Sequence, residues 1–113
     1  MKKISFDDIG QVLATFEADS GVEAGQVVKV TGSGQVGPCS AGDLFCGVAL
    51  SGGPFTGVQV GGFVEVSATG TVALGWTKLA ADGQGGVQAA ASGGREYLVV
   101  EADSAAGKAV LYL

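Results

Sequence analysis

The stretch GQVVKVTGSGQV, residues 25–36, decides the fold because it alternates between apolar and polar residues and then turns. Alternation with a period of two is typical of a half-buried β-strand, and a short glycine-containing loop before a second apolar run is typical of a β-hairpin. The sequence therefore predicts two strands, residues 26–31 and 35–37. Pro38 ends the second strand, because proline cannot donate a hydrogen bond in a central ladder.

A similar stretch, GGFVEVSATGTV, follows 36 positions later at residues 61–72. Two glycines and three valines recur at matching places, pairing Gly25 with Gly61, Val28 with Val64, Val30 with Val66, Gly34 with Gly70 and Val36 with Val72. The match predicts a second hairpin of the same kind, so that one sheet motif is used twice.

The rest of the chain consists of short apolar runs separated by glycine, proline and aspartate. These runs predict strands at residues 44–50, 55–60, 79–81, 87–91, 96–102 and 109–113. Turns at intervals of roughly 8–12 residues are typical of a β-sandwich or barrel. We therefore expect a single all-β domain over residues 1–113, a small antiparallel barrel or sandwich of about eight to ten short strands with little or no helix. Residues 1–8 are expected to form a flexible or docking arm.

Residues 9–17 allow two interpretations. Ile9, Val12, Leu13 and Phe16 have helical spacing behind a cap at Asp7 or Asp8. A strand over residues 11–17 is the alternative, and the β-branched, aromatic and glycine residues of this stretch favour it.

Charge and hydropathy exclude several classes of partner. The 113-residue chain has a formal net charge of −5, and its six cations form no run longer than two, so we expect no nucleic-acid partner. Residues 44–64 carry no charge but contain six glycines and Pro54, which a lipid-exposed helix tolerates poorly. We read this stretch as buried strands and turns, expect no membrane partner, and expect synthesis in a cytoplasm.

No catalytic or metal-binding motif emerges from the sequence. The chain has no histidine, so a Ser/His/Asp or Cys/His arrangement cannot form within it. Asp7 and Asp8 are adjacent and would point to opposite faces of a strand, so a hydrolase using carboxylates alone is disfavoured. Cys39 and Cys46 cannot complete a zinc site; we expect free, partly buried thiols rather than a disulfide. We therefore predict no enzyme, no catalytic residues, no metal and no cofactor.

Two further features invite a functional interpretation. Residues 32–37, GSGQVG, match the dinucleotide pattern G-x-G-x-x-G, but no helix is predicted after them, so we interpret them as a hairpin turn. Trp76 is the only tryptophan. We expect it to cover one end of a small barrel, because large aromatics are scarce; the alternative is that it anchors a partner or a sugar ring.

Several segments together resemble the capsid decoration (cement) proteins of tailed bacteriophages and prophages. They are FDDIGQVLATFEAD, GQVVKV, GDLFCGVAL, GVQVGGFVEV, LAADGQGGVQ, REYLVVEAD and the final VLYL. The resemblance implies a non-enzymatic structural protein, made in a bacterial cytoplasm, that docks on the virion surface and clamps neighbouring subunits of the major capsid protein around three-fold-like positions. It also implies a homotrimer.

Partner-binding residues are expected in the N-terminal arm and at the tryptophan, since an arm or a strand edge can add to a neighbouring sheet. They are Lys2, Lys3, Ile4, Phe6 and Trp76. The alternative function is a glycan-binding or adhesion module displayed on a phage or cell surface, which would use exposed aromatic side chains.

Overall fold

The computed structural model describes residues 10–113 as ten β-strands without a helix. The strands are β1 (Val12–Ala18), β2 (Val27–Gly32), β3 (Gln35–Pro38), β4 (Gly47–Ala49), β5 (Phe55–Gly61), β6 (Phe63–Thr69), β7 (Gly75–Ala81), β8 (Val87–Ala89), β9 (Arg95–Asp103) and β10 (Lys108–Tyr112). The all-β prediction is confirmed, and so is the strand interpretation of the segment after residue 10. The predicted arm, with Lys2, Lys3, Ile4, Phe6, Asp7 and Asp8, lies outside the described residues.

The ten strands form two closed barrels that follow one another in the chain. The first barrel has the order β1-β3-β2-β4-β5, and the second has the same order, β6-β8-β7-β9-β10, each closing on itself. In each barrel the first and third strands pair in parallel, and all other pairs are antiparallel. One barrel topology is therefore used twice in one chain.

Small branched side chains fill the interior of both barrels. The first barrel encloses Val22, Val28, Val36, Ala49 and Val58. The second encloses a larger set that includes Val66, Val72, Leu79, Val87, Val99 and Leu111. Burying each valine or leucine contributes about 1.5–3 kcal/mol, so these narrow barrels are stabilised by many small contributions.

The internal repeat has a spacing different from the predicted one. Residues 32–37 form the predicted hairpin turn between β2 and β3, with Gly34 at φ 70°. The prediction of a second hairpin was wrong. β6 is the first strand of the second barrel and pairs with β10 and β8, and residues 71–74 after it lie outside any strand. Up to Gly25 and Gly75, equivalent positions instead lie 50 residues apart: these two glycines have φ values of 84° and 87°, and Val22 and Val72 are both buried.

The two barrels pack against each other through Phe45, which precedes β4. Its ring stacks on Tyr97 of β9 with centroids 5.0 Å apart and planes 9° from parallel, and the Tyr97 hydroxyl donates to the Phe45 carbonyl at 3.3 Å. The predicted strand at residues 44–50 is therefore shortened to Gly47–Ala49. A continuous apolar run is compatible with a buried strand or with a side chain packed between two cores. In this run Phe45 is packed between the two cores, and the strand begins after it.

Backbone hydrogen bonds also join the barrels. The amide of Val27 in β2 donates to the carbonyl of Gly85 at 2.9 Å, and the amide of Ala81 in β7 donates to the carbonyl of Asp43 at 2.9 Å. These bonds and the apolar contact make the barrels one packed body. Within residues 10–113, no helix is long and apolar enough to cross a membrane.

Candidate interaction surface

A row of large apolar side chains crosses the outer face of the second barrel. Trp76 of β7 pairs with Leu98 of β9, Leu98 pairs with Tyr112 of β10, and Tyr112 pairs with Phe63 of β6. Directly paired residues point to the same face of a sheet, so these four side chains line up across four strands. We call them the aromatic row. Trp76 is 67% exposed and Tyr112 is 44% exposed, and the Phe63 and Tyr112 rings meet edge to face at 5.0 Å.

The first barrel has an equivalent row, and three of its four members are covered. By the same chain of pairings its members are Val27, Val48, Gln59 and Leu13. The first three are only 1%, 3% and 4% exposed, because Val27 and Val48 join the apolar cluster of the second barrel. The side-chain amide of Gln59 donates to the carbonyls of Gly61 and Phe63 at 3.1 and 3.0 Å. Most of the row in the first barrel is therefore buried in contacts within the protein, whereas the row in the second barrel carries the exposed side chains of Trp76 and Tyr112.

Acidic side chains border the aromatic row on one side. Val110 of β10 pairs with Glu65 of β6 and with Glu101 of β9, and Lys108 pairs with Asp103. These residues line a shallow groove of about 460 Å³. Among the groove residues three carboxylates face one ammonium group, so the groove is negatively charged. We call it the acidic groove.

Trp76 does not cover a barrel end, so that part of the sequence prediction was wrong. Its side chain projects outward from β7 and is two-thirds exposed. The large aromatic side chains that are buried together are instead Phe45 and Tyr97, which the sequence separates by 52 residues. The prediction that Trp76 anchors a partner stays a prediction, and the structure places it at one end of the aromatic row.

The sequence prediction missed the other three members of the row. The alternation of KAVLY in β10, with Ala109 and Leu111 buried and Tyr112 exposed, was the available signal that this tyrosine faces outward. Nothing in the sequence brings Leu98 and Phe63 beside it, because their alignment depends on the register between strands.

Cys39 and Cys46 are free thiols and half-buried, as predicted. Burial, reinforced by the nearby Asp43 carboxylate, raises the pKa of Cys39 to about 11, and burial also raises the pKa of Cys46. Both thiols are therefore protonated at neutral pH, and a protonated thiol is a poor nucleophile and a poor metal ligand. These residues are part of the packing rather than of a reactive site.

Lys29 and Asp43 form a surface ion pair with 2.6 Å between the Lys29 Nζ and the Asp43 Oδ2. The hydrogen bond to Asp43 raises the pKa of Lys29, and the same bond lowers the pKa of Asp43. The Asp43 carboxylate also accepts from the Ser40 amide at 2.9 Å, so the pair ties β2 to the loop before Phe45. Its role is to hold that loop in place.

Within the described residues, no group of three or more cysteine, aspartate or glutamate side chains could hold a metal ion. No model of a known protein family matches the chain, and no curated protein matches it at a significant level. We therefore take the aromatic row and the acidic groove as the candidate interaction surface.

Proposed function

We propose that this chain is a non-enzymatic structural protein of a phage or prophage head. It binds the outer surface of the capsid at three-fold-like positions between capsomers and stabilises the shell. Its partners are the major capsid protein and further copies of itself in a homotrimer, and its partner-binding residues are Lys2, Lys3, Ile4, Phe6 and Trp76. The segments that resemble capsid decoration proteins support this proposal.

The aromatic row, in which Trp76 and Tyr112 are exposed, is the observation that carries the proposal. Tryptophan and tyrosine are enriched at protein interfaces and dominate their binding energy, whereas a solvated sheet face usually carries polar side chains. Three of the four equivalent residues in the first barrel, Val27, Val48 and Gln59, are covered by protein. A protein partner is therefore a suitable cover for the row of the second barrel.

A capsid lattice would also make a small contact sufficient. Each copy offers a row of four side chains, which is small beside a standard protein interface of about 800 Å² per partner. Repeated copies joined to one another bind a lattice with an avidity that exceeds the affinity of each contact by about 10²–10⁴. The function proposed here thus fits a small binding surface used many times.

Purified protein mixed with expanded heads that lack decoration provides the test. We expect added density on the head surface by electron cryomicroscopy, and its absence would reject the proposal. Trp76→Ala should weaken binding about 30-fold, the equivalent of a hot-spot residue worth about 2 kcal/mol. Phe55→Ala is the matched control, because Phe55 is similarly exposed, at 64%, but belongs to the first barrel and lies outside the row.

A glycan-binding module is the second candidate, and the exposure of Trp76 favours it. A flat indole on an outward sheet face can stack on a sugar ring. A panel of glycans added to the isolated protein would quench the fluorescence of this single tryptophan if it did so. Unchanged fluorescence across the panel, together with binding to heads, would reject the glycan function and retain the capsid function.

A further inference from the structure

The two barrels of one chain meet through unlike surfaces. The first barrel contributes Val27 of its row and the loop at residues 42–43, which we call its row side. The second barrel contributes Ala81 at the end of β7 and the turn at residues 82–86, which we call its edge side. The Gly42 amide donates to the Ala81 carbonyl and the Ala81 amide to the Asp43 carbonyl, both at 2.9 Å, so the loop pairs with the edge of β7.

The second barrel has a row side of its own. Trp76, the counterpart of Val27 in the chain of strand pairings, is two-thirds exposed, whereas Val27 is buried. Gly93 is the counterpart of Gly42, because each is the fourth residue after its strand and their φ values are 76° and 88°. Among the described residues, no backbone hydrogen bond holds residues 93–94 in the way that Ala81 holds residues 42–43. This row side is therefore open.

The first barrel likewise has an edge side of its own. Val30 of β2 pairs with Val36 just before the turn, as Ala81 of β7 pairs with Val87. Val30 is 60% exposed, whereas Ala81 is buried. β4 pairs only with the first two residues of β2, so the edge of β2 at Val30 lies beyond β4. This edge side, which consists of Val30 and the turn at residues 33–35, is open as well.

Each chain thus buries one row side and one edge side and exposes one of each. Stacked repeat units usually carry polar outer faces, which keep the stack soluble. Here the two outer faces carry Trp76 and Val30 instead. A contact between unlike surfaces can be repeated from one molecule to the next. The relation between the barrels of one chain therefore also supplies a contact between two chains.

We propose that copies of this chain associate head to tail, with the edge side of the first barrel of one copy on the row side of the second barrel of the next. Val30 and Trp76 lie in this contact, and the edge of β2 pairs with residues 93–94. Phe63 has no part in it, since its counterpart Leu13 is 49% exposed beside the covered residues of the first barrel. The inference rests on the part of the proposed function that names further copies of the chain as partners.

The contact between copies is weaker than the contact within a chain. Leu98 is the counterpart of Val48 in the strand pairings, so Arg95 and Gly47 occupy the places of Phe45 and Tyr97 in the other barrel. The aromatic stack that joins the barrels of one chain is therefore absent between copies. Contacts below about 1,200 Å² are commonly weak and transient, so association is expected to be reversible and to require a high protein concentration.

Two variants separate a head-to-tail contact from a symmetrical one. Val30→Asp disrupts the edge side and keeps the row side, and Trp76→Asp does the reverse. Each variant alone should raise the dissociation constant for self-association about 30-fold or more, as expected for a hot-spot residue. A mixture of the two should recover association as a dimer, because the intact row side of one meets the intact edge side of the other.

Small-angle X-ray scattering gives the mass of the particles in a concentration series up to about 1 mM, which covers weak contacts. Leu50→Asp is the matched control and should associate like the parent chain. Leu50 is 44% exposed and follows the end of β4 that bonds to Gly25, away from Val30.

Three results would overturn the proposal. One is a parent chain that stays monomeric throughout the series. Another is either variant alone associating as strongly as the parent chain, which would indicate a symmetrical contact between two rows or between two edges. The third is a mixture that stays monomeric. Because no heads are present, a monomeric chain that still decorates heads would reject this inference alone, and an associating chain that fails to decorate them would reject the capsid function alone.

Discussion

Replacing Phe45 with alanine should unfold both barrels together at a much lower denaturant concentration. The side chain is 4% exposed and stacks on Tyr97, so its removal leaves a cavity between the two barrels. A buried phenylalanine replaced by alanine costs about 3–5 kcal/mol, against a total stability of about 5–15 kcal/mol for a small domain. We expect a loss of about 4 kcal/mol and, at roughly 4 °C per kcal/mol for this length, a Tm lower by about 15 °C.

Urea titration followed by circular dichroism and by Trp76 fluorescence measures this loss. Circular dichroism reports on both barrels, whereas Trp76 reports on the second barrel, so coincident transitions would mean that the barrels unfold as one unit. Phe55→Ala removes the same atoms from a side chain that is 64% exposed, and it should change the stability by no more than about 0.5 kcal/mol. A Phe45→Ala loss below about 1 kcal/mol, or an unchanged Trp76 transition, would refute the reasoning.

Three further predictions concern single groups. Cys39 should react with a thiol reagent on the order of 100-fold more slowly in the folded chain than in the urea-unfolded chain at pH 8, because burial raises the pKa of its thiol to about 11. The rates are measured in a variant in which Cys46 is replaced by serine, and equal rates would contradict the prediction. Asp43→Asn should lower the free energy of unfolding at pH 7, because the Lys29 hydrogen bond stabilises the Asp43 carboxylate and lowers its pKa in the folded chain. The difference between the variant and the parent chain should vanish as the pH falls below about 4, since that contribution is lost once the carboxylate is protonated. Gly86→Ala should cost about 1–3 kcal/mol in urea titration, because a Cβ there would collide with a backbone carbonyl of β6, whereas Gly57→Ala, with ordinary contacts, should cost clearly less.

The sequence predicts the strands well because each barrel has one buried face. Inward and outward residues must then alternate, and glycine, proline and aspartate mark the turns. The same alternation does not indicate which strands pair with one another. β2 and β6 carry almost the same alternating pattern, but β2 forms a hairpin with β3, whereas β6 pairs with β10, the last strand of the chain. Alternation reports which face is buried and does not identify the neighbouring strand.

The segment before β4 shows a second limit. An unbroken run of apolar residues is compatible with a fully buried strand, and it is equally compatible with a side chain that leaves one barrel and packs into the core of the other. Phe45 packs against the other barrel, and only its contact with Tyr97, far along the chain, distinguishes this arrangement from a buried strand. Such a contact is set by the docking of the barrels, which has no local signature.

The candidate surface was predictable only in part for a related reason. Trp76 stands out in the sequence as the single tryptophan, but its neighbours in the row come from three other strands. The register between β9 and β10 shifts between Val110 and Leu111, and this irregularity decides that Leu98 lies opposite Tyr112. A shift of one residue would have turned every side chain to the other face.

The shape of the aromatic row restricts what can cover it. Charged side chains border it on both sides, with Lys78 paired to Glu96 on one side and the acidic groove on the other. The row is therefore one side chain wide and about four strands long, and a flat protein face laid on it would also bury these charges at a cost in desolvation. An extended segment or a strand edge avoids that cost, because it contacts the apolar row and leaves the charges at its margins in water. The geometry thus favours a narrow extended partner, such as a strand edge or an extended segment of another protein.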